Sequence, residues 1–227
     1  LMGMGYFEKV DAVAVNANEP AKKDIDIKVE EKRFIDAKVG AGYSDTDSVA
    51  GMFELSHNNF DLFDPENYFT GGGQKLRLIG VVGISRYDAE LNFTEPWLFG
   101  VPLRLDTSAY IRNISYEDWD ERRIGGSLTL TKRVIDDFTS VSGGYTFEQV
   151  NVHAMSKNMS QRFQDQKGVG YVGRVHAMIE RDTRDNTTDP KSGYDTSLLT
   201  ALTSRVFGAS SDYYRLELKG INYYSFL

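Results

Sequence analysis

Ten segments of this chain alternate between apolar and polar residues with a period of two, which leaves little room for any fold other than a β-sheet. They span residues 34–43, 49–57, 74–85, 87–97, 101–114, 122–132, 138–150, 169–181, 192–203 and 212–226. Alternation of this kind is typical of a strand whose two faces meet different surroundings. Turn-rich pieces separate the segments, and helical periodicity is absent. The pattern predicts an all-β, antiparallel fold for residues 33–227.

The fifth segment shows the two faces most clearly. Leu103, Leu105 and Ala109 share an uncharged face, while the intervening positions carry polar and charged residues. The fourth, eighth and tenth segments repeat this arrangement. We expect the charged members to face the lumen of a barrel: Arg104, Asp106, Arg112, Arg174, Glu180, Arg215 and Lys219.

A water-soluble β-sandwich produces the same alternation and remains the alternative fold. Three features favour a membrane barrel instead. Most of the segments are about 10 to 13 residues long, whereas globular strands average about five or six and tilted membrane strands need about nine to eleven. Aromatic residues such as Trp97, Phe99 and Trp119 gather at strand ends, as in the interfacial girdles of membrane barrels. Tight turns also alternate roughly with longer polar loops, such as Asn151 to Lys167.

Residues 1–32 differ from the rest. YFEKVDAVAV and IDIKVEEK flank a polar turn and predict a β-hairpin rich in both charges. We interpret residues 1–32 as the C-terminal part of a small soluble α/β module that joins the barrel without a flexible linker. The abrupt ends of the sequence predict a fragment of a longer protein.

Composition and motifs argue against most chemistry. The chain has 26 basic and 33 acidic residues, a net charge of −7 and no cysteine. This balance disfavours nucleic acid as a partner, and the lack of thiolates and of metal-ligand spacing among the three histidines disfavours a metal or cofactor. We expect no enzymatic activity. We interpret FTGGGQ as a turn before a strand and DTRDN as a turn braced by ion pairs, while the longest apolar run, Leu78 to Ile84, is too short for a membrane helix.

Several motifs carry a family resemblance. GYFEKVDAVAV with DIDIKVEEK resembles the last half of the final POTRA domain in BamA-type outer-membrane assembly factors. HNNFDLF with GGGQKLRL, then NFTEPWLFG, then ERDTRDNTTDPKSGYDTSL resemble motifs of that family's barrel, in the family's order. The resemblance implies a POTRA part in residues 1–32, followed by about ten strands of a sixteen-strand transmembrane barrel. Residues Asp64 to Thr70 lengthen a turn that is short in the family, and the family's Val-Arg-Gly-Phe motif is missing.

The resemblance also implies a function without a chemical step or a cofactor. BamA-type proteins insert other β-barrel proteins into the bacterial outer membrane, so the expected partners are lipid, unfolded client proteins and accessory lipoproteins that bind the periplasmic POTRA part. We expect clients to add at the barrel seam, along Phe34, Ile35, Asp36, Ala37, Lys38, Val39, Gly40, Ala41, Gly42 and Tyr43, because glycine weakens a strand and exposes its backbone. The glycines could instead merely relieve crowding at the seam. A passive pore and a polypeptide secretion pore of the same superfamily remain the alternative functions.

Overall fold

A computed structural model describes residues 7–16, 23–31, 33–44 and 48–225. In these ranges the chain forms twelve strands and one four-residue helix, α1, at Gln161–Gln164. The strands are β1 Phe7–Asn16, β2 Lys23–Glu31, β3 Ile35–Ser44, β4 Ser48–Phe60, β5 Gln74–Gly83, β6 Arg86–Glu95, β7 Leu103–Ser115, β8 Asp120–Arg133, β9 Thr139–His153, β10 Gly168–Asp182, β11 Gly193–Thr203 and β12 Tyr213–Tyr223.

The strands form two antiparallel sheets. β1 and β2 make the two-stranded sheet of the predicted N-terminal hairpin. β3 to β12 make a ten-stranded sheet in which each strand pairs with its neighbours in sequence. The predicted all-β fold with ten consecutive strands is thus confirmed. The POTRA assignment and the boundary between residues 32 and 33 stay predictions.

Strand ends differ from the expected bounds by a few residues, and two local differences have a clear physical reason. β6 ends at Glu95 rather than at Trp97, because Pro96 has no N–H to continue the ladder and a short 3-10 helix follows at Leu98–Gly100. Helix α1 lies in the loop after β9, where we predicted no helix. One turn of helix is too short to produce a periodic sequence signal.

The strand register joins the predicted faces across the whole sheet. Leu105 of β7 lies opposite Leu130 of β8, and Val175 of β10 lies opposite Tyr145 of β9 and Leu202 of β11. Arg112 lies opposite both Asp88 and Arg123 on the other side. The sheet therefore has one continuous apolar face and one continuous polar face.

The burial of polar and apolar side chains is the reverse of that in a water-soluble domain. Among the described residues, Ala201 and Ala209 are the buried apolar side chains, whereas polar residues such as Glu148, Asp195 and Thr203 are buried. Large apolar side chains on the apolar face stay exposed, including Leu128 and Leu202. A soluble sandwich would bury this face between two sheets, so the arrangement favours the membrane barrel.

The meander defines two ends of the sheet. The proximal end is where β3 begins, and it carries the connections 61–73, 96–102, 134–138 and 183–192. The distal end carries the connections 84–85, 116–119, 154–167 and 204–212. Within the described ranges, no helix is long and apolar enough to cross a membrane.

Candidate functional site

The predicted client edge coincides with β3, the first edge strand of the ten-stranded sheet. Phe34 directly precedes β3, and residues 35 to 43 pair with β4 from His57 to Val49. The register places Ile35, Val39 and Tyr43 on the apolar face, where Val39 is 88% exposed. All ten predicted residues therefore form one continuous stretch of edge backbone.

Side chains hold the proximal half of this edge. The backbone N–H of Asn58 donates to the carbonyl oxygen of Phe34 at 2.7 Å, and its side-chain amide donates to the Asp36 carboxylate at 2.8 Å. Lys38 donates to Glu54 at 3.0 Å. The proximal half of β3 is thus tied to β4 by more than its ladder.

The distal half of β3 lacks such ties. Between residues 39–43 and the part of the chain that the structure describes, there is no side-chain hydrogen bond, ion pair or ring contact. A Cβ added at Gly40 or Gly42 would meet no atom within 4 Å. The two glycines therefore do not relieve crowding by described residues. Backbone pairing with β4 is what holds this half.

An aromatic cluster that the sequence did not reveal stands at the base of β3. The rings of Phe34 and His57 stack at 6.4 Å between centroids, and His57 meets Phe60 edge-on at 5.6 Å. Phe60 in turn stacks on Phe69 at 5.8 Å. The lengthened turn, Asp64 to Thr70, thus folds back onto the point where the chain enters β3. Phe60 and Phe69 lie far apart in the alternation pattern, so no periodic signal connects them.

The predicted lumen residues all lie on the polar face, and most have a partner of opposite charge. Arg104 donates to Asp106 at 2.7 Å, Arg112 to Glu90 at 2.9 Å and Lys219 to Asp195 at 2.7 Å. Arg215 pairs with Glu217. Arg174 lies opposite Thr146 and Thr203, and Glu180 lies opposite Ser140 and Ser197.

The polar face is concave. Residues from β5 to β11, including Lys75, Arg104, His176 and Glu180, line one cavity of about 1020 Å³. His176 of β10 lies on this face, opposite Gly144 and Ala201. The face therefore has the form of a lumen wall.

Glu148 is a lumen residue that sequence analysis missed. Its side chain is nearly buried and accepts hydrogen bonds from the Tyr110 hydroxyl at 2.8 Å and from Arg123 at 3.0 Å. Arg123 also pairs with Glu121, and the Arg112 guanidinium lies 4.1 Å from the centre of the Tyr110 ring. This network spans β7, β8 and β9 and stiffens the wall. The charged positions were visible in the sequence, but their partners depend on the register.

The DTRDN turn between β10 and β11 is braced as predicted. Arg184 donates to both carboxylate oxygens of Asp182, at 2.8 and 2.6 Å. Asp185 accepts the backbone N–H groups of Lys191 and Ser192, which lower its pKa. Within the described ranges, no group of three or more His, Cys, Asp or Glu residues could hold a metal ion.

Comparisons with known proteins agree with this architecture. A family model described as the Omp85 superfamily domain matches residues 67–227. Among solved structures, the crystal structure of BamA from Haemophilus ducreyi lacking POTRA domains 1-3 is similar, with a TM-score of 0.67 and 16% sequence identity. That match covers 94% of this chain and 42% of the BamA chain, so this chain spans less than half the length of that protein. No curated protein matches the sequence.

The two matches confirm the resemblance stated from the motifs. At 16% identity the structural match shows the fold alone, whereas the family model covers well over half of the sequence. This chain belongs to the Omp85 superfamily and is a β-barrel protein of the bacterial outer membrane.

Proposed function

We propose that this protein inserts other β-barrel proteins into the outer membrane by adding their strands to the edge of β3. The observation that carries the proposal is the contrast within β3: side chains tie its proximal half to β4, whereas its distal half depends on backbone pairing. We expect the distal half of β3 to separate from the strand that closes the barrel, while the proximal half of β3 stays fixed to β4.

The physics of strand addition fits such an edge. A free edge presents unpaired N–H and C=O groups, and an extended client segment can satisfy them through main-chain hydrogen bonds. Main-chain bonds demand little of the client sequence, which suits a protein that handles many clients. The paired charges of the polar face keep the neighbouring wall rigid while the edge changes partner. No chemical step and no cofactor belongs to this proposal.

A passive pore is the main alternative, and the polar face offers it little support. Selectivity by charged side chains needs charges that act on passing ions. Here Arg104, Arg112 and Lys219 each form an ion pair with a nearby carboxylate, which reduces their effect on a passing ion. A secretion pore of the same superfamily would share the lumen but would not need a weak distal half of β3.

The remaining parts of the proposal follow from the family. We assign the β1–β2 hairpin to the last POTRA domain and place it in the periplasm, where accessory lipoproteins would bind. The proximal end of the sheet then faces the periplasm, because β3 enters the barrel from that side. Clients would arrive at the same end.

The test is to strengthen the weak half of the edge. Gly40→Val with Gly42→Val should fold, since no described atom lies within 4 Å of either added Cβ. Valine should raise strand stability by up to about 1 kcal/mol and slow the exchange of partners. We expect slower insertion of an unrelated outer-membrane barrel into vesicles by the full-length protein.

Gly220→Val in β12 is the matched control. It makes the same substitution on another strand, and its added Cβ would meet only the Thr196 methyl group, at 4.0 Å. It should leave the insertion rate unchanged. Equal rates for the β3 variant and this control would contradict strand addition at β3.

A further inference from the structure

Strained apolar residues cluster at the proximal end of the sheet. Among the described residues, five other than glycine have positive φ, and four of them are Tyr68, Phe69, Phe99 and Ile135 in the proximal turns. A positive φ is unfavourable for bulky residues and rare for β-branched ones. Glycine or asparagine would fit such positions better, so these side chains are held there against local preference.

Three of these four side chains also point away from the protein, whereas Phe69 stacks on Phe60. Tyr68 is 89% exposed, and Phe99 and Ile135 are each 91% exposed. They occupy the turns 61–73, 96–102 and 134–138, which follow one another along the rim from β4 to β9. Strain alone could reflect tight turns, but strain combined with full exposure of large apolar groups indicates a surface that something covers.

The position of these turns along the barrel axis, relative to the apolar face, identifies what covers their side chains. On β7 the apolar face ends distally at Ile111, because the next outward positions are Asn113 and its partner Arg122. A strand tilted by about 40° advances about 2.5 Å per residue along the barrel axis, so an apolar band of about 25 Å takes about ten residues. Counted from Ile111, the band reaches Val101 and enters the turn 96–102.

The neighbouring strand gives the same level. On β8 the last outward apolar residue before Arg122 is Ile124. About ten residues further along, the band ends near Val134, next to Ile135. The tips of the turns 96–102 and 134–138 therefore lie at the boundary of the lipid layer rather than beyond it, and the turn 61–73 is next to them along the same rim.

We propose that Tyr68, Phe99 and Ile135 form an anchor that inserts into the headgroup region of the proximal lipid leaflet. The occupant is lipid because the tips continue the apolar face, which already contacts the membrane in a barrel of this family. Aromatic and aliphatic side chains at this depth bury apolar area without leaving backbone groups unsatisfied in hydrocarbon. The proposal does not depend on strand addition at β3, and its test does not measure insertion activity.

Residues 1–227 contain no cysteine, so none has to be removed from this part of the protein before labelling. Single cysteines replace Phe99, Ile135 or Tyr68 in the full-length protein, each carries a spin label, and the protein is folded into phosphatidylethanolamine and phosphatidylglycerol vesicles. Electron paramagnetic resonance then compares the accessibility of each label to oxygen, which concentrates in lipid, and to a water-soluble nickel complex. Leu128→Cys on the apolar face is the lipid control, and Thr188→Cys in the proximal turn 183–192 is the water control.

The proposal expects labels at residues 68, 99 and 135 to be several-fold more accessible to oxygen relative to nickel than the label at residue 188. Nickel accessibility equal to that at residue 188 would overturn it. Labels that are immobilised and shielded from both reagents would also overturn it, because a protein surface would then cover the tips. Each of the three sites tests the claim by itself, so one variant that fails to fold leaves the others decisive.

Discussion

Gly173 in β10 is the position where a single methyl group should disturb this barrel most. The connection 204–212 crosses the apolar face there, with Ser204 N–H donating to the Gly173 carbonyl oxygen at 3.2 Å and the Tyr145 hydroxyl donating to the Phe207 carbonyl oxygen at 2.8 Å. A Cβ at residue 173 would lie 2.5 Å from the carbonyl carbon of Phe207 and closer still to its oxygen. Backbone atoms cannot rotate away, so Gly173→Ala forces the connection off the strand.

The loss of unfolding free energy in Gly173→Ala follows from the contacts that displacement of residues 204–212 breaks. Overpacking of this kind costs about 1 to 3 kcal/mol when the chain shifts to relieve it. Complete detachment would also lose the bonds of Ser204 and Phe207 and the pair between Tyr171 and Ser210, each worth about 0.5 to 1.5 kcal/mol net. The chain adopts the less costly response, which is the local shift, so we expect a loss of about 1 to 3 kcal/mol.

Urea unfolding of the full-length protein in lipid vesicles measures this loss. Gly170→Ala is the matched control on the same strand, because its added Cβ meets only the Ser210 hydroxyl oxygen, at 3.8 Å. The control should stay within about 0.5 kcal/mol of the unchanged protein. Equal stability of the two alanine variants would refute the placement of residues 204–212 over β10.

Three further predictions concern the wall and its orientation. Glu148→Ala removes a buried acceptor of Tyr110 and Arg123 and should lower the free energy of unfolding by about 1 to 3 kcal/mol, measured in urea. The hydrogen bond from Arg181 holds the pKa of Asp136 at about 2, below its unfolded value. The contribution of the ionised Asp136 to stability should therefore be complete above about pH 4 and lost as the pH falls toward 2. Asp136→Asn should remove that part of the pH dependence of the urea midpoint. A cysteine at Ser156 should react with an impermeant maleimide on intact cells, while one at Asp136 stays protected. The reverse pattern would show that the barrel has the opposite orientation in the membrane.

Most of the sheet could be predicted because each strand is specified locally. In β7 the residues Leu103 to Ile111 alternate without a break, and turn residues such as Pro102 mark where the pattern stops. A period-two pattern assigns each residue to a face before any partner strand is known. Most connections are short, which favours pairing between strands that are neighbours in sequence, and the observed strand order has this arrangement.

The parts that could not be predicted depend on contacts distant in sequence. The stack of Phe60 on Phe69, the cover of residues 204–212 over Gly173 and the burial of Glu148 each require the register and the curvature of the sheet. The positive φ of Ile135 has no sequence signal at all, since isoleucine is among the residues least suited to it.

The most direct test of strand addition is to lock the seam. In the full-length protein, Val39→Cys in the distal half of β3 would be paired with a cysteine on the strand that closes the barrel. A control disulfide would join Val39→Cys to Phe53→Cys, which lie directly opposite each other in β3 and β4 and leave the outer edge of β3 free. Strand addition predicts that the seam disulfide abolishes insertion of an unrelated outer-membrane barrel into vesicles, that reductant restores it, and that the control disulfide leaves it intact. Undiminished insertion with the seam fully cross-linked would contradict the account.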